Sequence, residues 1–143
     1  MLSIHAAAVA LALAAVGVNG KGDGINCFGS KWCDKHAVSN IKDKSENLQD
    51  NRRYFEGQHI ICIKGDDGEA GTCLFLQKLP VHVKEAGGVP GREIKRLMQR
   101  LGKNDCSHCG SVPLGFPEVN DVDVGMLTVN FVHNRRGCVD ICD

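Results

Sequence analysis

Cys106 and Cys109 bracket His108 in "KNDCSHCGSVPLGF", residues 103–116. That C-x-x-C spacing serves three chemistries: a zinc knuckle, a thiol redox pair, or two anchor points of a disulfide framework. A tetrahedral zinc site needs four thiolate or imidazole ligands, and no second C-x-x-C or H-x3-H supplies the other pair. Thioredoxin-type thiols sit at a helix start, which lowers their pKa, whereas this pair follows the end of a helical stretch. Both thiols are therefore expected in disulfides, with His108 a solvated turn residue.

Acid/base catalysis is the other chemistry to weigh. His36, His59, His82, His108 and His133 with Glu56, Glu85 or Glu93 offer such pairs, as in a small secreted hydrolase such as a ribonuclease. No spacing forces any two of them together, and no G-x-S-x-G nucleophile motif occurs. The chain reads as a non-enzyme without a cofactor. Asp66, Asp67 and Glu69 in "GDDGEAG" invite a calcium loop, but the ligand spacing of an EF-hand is absent, and a solvated turn fits better.

The compartment decides between thiols and disulfides. "MLSIHAAAVALALAAVGVNG" has an uninterrupted small and apolar run from Ala6 to Val18 and no Asp, Glu, Lys or Arg. This is the pattern of a secretory signal over residues 1–20, shorter than the about 20 apolar residues of a membrane span. No later run is long enough for membrane insertion. All eight cysteines lie beyond it, an even number in a small exported chain, which points to four disulfides in a single domain over 21–143. Seventeen Lys and Arg balance seventeen Asp and Glu, so bulk electrostatics cannot hold a nucleic acid.

The elements that must position these groups follow from periodicity. Val38, Ile41 and Leu48 share a helical face, giving a helix from about Asp34 to Leu48 with Asp34 as N-cap. Tyr54 and Phe55 follow in a loop and are expected to plug the core edge. "QHIICIK" and "TCLFLQ" flank a turn as a hairpin. Val81–Val83 reads as a short strand, and "GMLTVNFVHN" as a strand with Leu127, Val129 and Phe131 on one face. The clearest helix is "PGREIKRLMQRLG", with Ile94, Leu97, Met98 and Leu101 as its apolar stripe and Gly102 as its C′ residue. Its other side carries Arg92, Lys95, Arg96, Arg100 and Lys103 against Glu93, a basic face for an anionic headgroup, a channel vestibule or a partner's acidic patch.

Three motifs together carry a resemblance: G-I-N-C-x-G-S-x-x-C at Gly24–Cys33, C-x-x-C-G-S-x-P-L at Cys106–Leu114, and N-D-V-x-x-G-x-L-T-V-N-[FY]-V at Asn120–Val132. The chain resembles the fungal killer-toxin family typified by the smut-fungus killer protein four, closely at both ends and loosely over Asp50–Gly91. The resemblance implies an α+β fold, a disulfide-stapled α/β sandwich: an antiparallel sheet of about five strands with two helices on one face. It further implies a secreted, monomeric, non-enzymatic toxin or effector. The partner would be a membrane protein of a target cell, in the type member a voltage-gated calcium channel whose function is impaired.

The family pattern also implies the pairs Cys27–Cys106 and Cys33–Cys109. Cys62 would then join Cys138 and Cys73 join Cys142, or the two would be swapped. The type toxin is basic, has ten cysteines, and carries lysine and arginine before the counterpart of Cys62, where this chain has Gln58, His59, Ile60 and Ile61. Lys64 and the basic helix residues Arg92, Lys95, Arg96, Arg100 and Lys103 are the remaining target-binding candidates. A host-interaction role without toxicity is the alternative, since a fold does not fix a function.

Overall fold

The computed structural model describes residues 24–143. The expected signal at 1–20 lies outside them. In chain order the elements are α1 (Ala37–Ser45), β1 (Arg53–Tyr54), β2 (Ile61–Lys64), β3 (Gly71–Gln77), α2 (Val81–Glu85), β4 (Val89–Pro90), α3 (Gly91–Lys103), β5 (Gly110–Pro113), a 3-10 turn (Val122–Val124), β6 (Met126–Val132) and β7 (Asp140–Ile141). Five strands form an antiparallel sheet in the order β5-β6-β3-β2-β7, and β1 pairs with β4 in a separate ribbon.

Register sorts the sheet's two faces. Leu74 lies opposite Val129 and Leu76 opposite Leu127, so alternate residues of β3 and β6 present one apolar row. That row meets Val38 and Ile41 of α1 and Ile94, Leu97, Met98 and Leu101 of α3 in the main core. α1 packs on β2 and β7 while α3 packs on β5 and β6. The intervening positions carry a second face, where Cys62, Cys73 and Phe75 belong to a smaller cluster. Polar residues there are satisfied: the Thr128 hydroxyl lies 2.9 Å from that of Ser111 and donates to Gln77 Oε1 at 3.1 Å.

The architecture is the disulfide-stapled α+β fold expected, with four local corrections. Val81–Val83 is the start of a helix, because an alternation of three residues also fits one helical turn. Pro80, with φ −60°, begins that turn and accepts from Lys84 N at 3.1 Å. α1 is shorter than Asp34–Leu48, and Asp34 stays outside it. Asp34 Oδ1 accepts from His36 N at 2.9 Å and its carbonyl accepts from Ala37 N at 3.2 Å. Gly102 is not a C′ residue but lies within α3, where a Cβ would stand 2.7 Å from Lys42 Cδ, so it permits close packing of the two helices. Tyr54 is buried as expected, while Phe55 is 55% exposed.

Candidate functional site

Two disulfides join the segment before α1 to the segment after α3. Cys27 is bonded to Cys106 and Cys33 to Cys109, across separations of 79 and 76 residues. The local chain has the contacts that make this approach fit. A Cβ on Gly29 would lie 2.3 Å from Cys109 Cβ, and Asn130 Oδ1 accepts from Ser30 N at 3.0 Å. Asn26 and Ser111 exchange backbone hydrogen bonds at 3.0 and 2.9 Å. The C-x-x-C pair thus anchors a clamp between the two segments.

The other four cysteines pair differently from the expected Cys62–Cys138 and Cys73–Cys142. The bonds are Cys62–Cys73 and Cys138–Cys142. The reason is register: β2 and β3 set Cys62 directly opposite Cys73, leaving Cys138 and Cys142 to close on each other around the C-terminal turn. The swapped alternative does not form either, although Cys142 Sγ is 4.0 Å from Cys62 Sγ. Sequence spacing could not reveal a register that depends on where the hairpin turns.

The six cationic candidates separate into engaged and free groups. Lys95 is bound to Asp50 at 2.8 Å, and that hydrogen bond, with the ammonium's charge behind it, holds the Asp50 carboxyl below its ordinary value. Arg96 is structural: it pairs with Glu93 at 3.0 Å and donates to the Phe116 carbonyl at 2.7 Å and the Leu114 carbonyl at 3.3 Å. Arg92 donates to Asn51 Oδ1 at 3.3 Å. Arg100, Lys103 and Lys64 are exposed and have no ion pair among the described residues. Lys64 does not join the helix candidates, since it ends β2 beside Lys44 and Asp140, with α1 between that strand and α3.

An open cleft of about 570 Å³ is lined by Glu56, His59, Arg135, Cys138 and Cys142, among others. His59 is its one histidine, and Nδ1 donates to the Arg135 carbonyl at 3.2 Å. Glu56 is committed elsewhere. Its hydrogen bond from Lys84, then that from the Leu79 N–H, holds its carboxyl below the ordinary range. None of the clefts found brings two histidines together. The arrangement gives an acid/base pair no free members there.

Two features had no signal strong enough to be read beforehand. Arg135 is 6% exposed and donates to the carbonyls of Ala70, Cys138 and Gly68 at 3.0, 2.6 and 2.7 Å. It ties the acidic "GDDGEAG" turn to the C-terminal turn, and nothing in its neighbourhood in sequence marks it. Phe28 and Trp32 stand 67% and 66% exposed inside the clamp. Their enclosure between two cysteines was the available clue.

Helices on one face of a five-stranded antiparallel sheet and four disulfides define a small stapled α+β protein. The chain belongs to the Kp4 family, the killer protein 4 family, whose family model matches residues 4–133. It is a killer-toxin-like protein. No curated protein matches it.

Proposed function

We propose that this is an exported, non-enzymatic killer toxin or effector that docks on a membrane protein of a foreign cell and impairs voltage-gated calcium entry. The observation that carries the reading is Kp4 membership over residues 4–133. The four-disulfide scaffold supports it, because disulfides persist where the exported protein would act. So does the cleft around His59, where His59, Glu56 and Arg135 are engaged by structural partners. Arg100 and Lys103, three residues apart near the end of α3, are the side chains assigned to target contact, and Lys64 forms a separate point.

The test uses oxidised protein beginning at residue 21, with four bridges verified by mass. Growth inhibition of sensitive fungal cells that added calcium relieves is the expected outcome. Charge reversal of Arg100 and Lys103 together should abolish it without altering thermal unfolding. Inhibition that is indifferent to calcium, or absent over a panel of fungi and plant roots, would overturn the channel reading.

A further inference from the structure

We propose that the disulfide-bounded segment Cys27–Cys33 is a peripheral membrane anchor. Phe28 and Trp32 enter the interface of a bilayer bearing anionic headgroups, and Lys31 meets the headgroups. This goes beyond the channel reading and does not depend on it.

The first argument is exposure without mobility. Phe28 and Trp32 are 67% and 66% exposed, more than any other aromatic among the exposed large hydrophobics of the described residues. Large exposed apolar side chains on loose termini are ordinary, but these sit on a segment bridged at both ends. Within it Asn26 Oδ1 accepts from Phe28 N at 3.0 Å, and Ser30 Oγ accepts from Trp32 N at 3.1 Å. The ordering cost of presenting them has been met by folding, so their burial elsewhere proceeds with little further loss of entropy.

The second argument is chemistry. Tryptophan with an indole N–H and an apolar ring suits the boundary of a bilayer, where one edge is dry and the other wet. Lys31 Nζ lies 5.0 Å from the Trp32 ring centroid, a cation held at the aromatic face. Lys35 follows shortly, and Arg100 and Lys103 precede the bridged Cys106, against Asp34 and Asp105 in the same stretches. The local balance is cationic although the whole chain is neutral. That excess favours anionic over zwitterionic lipid.

The third argument is shape. Phe28–Trp32 lies outside the three clefts of about 570, 370 and 440 Å³, and its two aromatic rings are presented to solvent. No helix among the described residues is long and apolar enough to cross a membrane, so the association is peripheral.

Trp32 is the single tryptophan of the chain, and its emission therefore reports on this segment alone. Oxidised protein beginning at residue 21 would be mixed with vesicles of phosphatidylcholine and phosphatidylglycerol in equal parts, or of phosphatidylcholine only. We expect a blue shift and co-sedimentation with the mixed vesicles, both weakened by salt. Phe28→Ala combined with Trp32→Ala should lower the partition coefficient at least about tenfold, and Lys31→Ala a few-fold, with unchanged thermal unfolding. Emission and sedimentation unaffected by either vesicle would overturn the proposal. So would equal binding to both compositions, or a folded double variant that binds as the parent does.

Discussion

The molecule is stapled by two pairs of disulfides that act by opposite means. At the clamp, each bridge spans well over half of the described residues, with separations of 79 and 76 residues. In the other pair the separations are 11 and 4, and a buried arginine reaches three carbonyls around the same turns. Loop-closure entropy grows with the length of chain enclosed, so the clamp bridges constrain the unfolded chain while the local pairs mainly fix shape. The comparison teaches that equal numbers of cysteines in the two pairs of bridges do unequal work.

The largest effect should come from the clamp. Replacing all four clamp cysteines, Cys27, Cys33, Cys106 and Cys109, by serine should cost more than about 4 kcal/mol, against about 2 kcal/mol for Cys138 and Cys142, measured by denaturant unfolding. Equal losses would break the comparison. Next comes Arg135→Met, which removes a charged donor from the Gly68, Ala70 and Cys138 carbonyls and should cost about 3 kcal/mol. Hydrogen exchange should then rise in the β2–β3 turn and at Gly137–Cys142 but not around Cys27–Cys33.

A subtler outcome separates the two pairs of bridges chemically. In Cys73→Ser, the freed Cys62 thiolate lies 4.0 Å from Cys142 Sγ and should attack it, forming Cys62–Cys142 and releasing Cys138 as thiolate. Peptide mapping should find Cys138 as the free thiol. The clamp sulfurs form no comparable cluster among the described residues, so Cys106→Ser should leave Cys27 free and the other bridges unchanged. A free Cys62 in the first variant would refute the exchange.

The smallest effect concerns acid. Glu56 has a folded pKa below its ordinary 4.5 because Lys84, and then the Leu79 N–H, bind the charged form. Its stabilisation is present above the unfolded value and is lost as pH falls through the lowered folded one. The melting temperature of Glu56→Gln should therefore trail the parent near neutrality and converge with it in acid. A constant gap over that range would assign the difference to packing instead.

Much of this was legible in residue order. The stripe Ile94, Leu97, Met98, Leu101 defined α3, and the alternation Leu127, Val129 defined β6, because both periods persist long enough to exclude the other. Val81–Val83 failed for the converse reason. The engaged state of Lys95 and Arg96 was hidden, since Asp50 and the Leu114 and Phe116 carbonyls reach them only through the fold.

Sequence by itself determined the two-ended cysteine pattern, the main helices and strands, and membership of a family whose motifs lie at both ends. These are local or patterned properties that persist in an unfolded chain. Tertiary structure alone decided that Cys62 meets Cys73, that Arg135 is buried among carbonyls, and which cations stay free. Each depends on strand register and on contacts between distant segments, where a shift of one residue would turn every side chain to the other face.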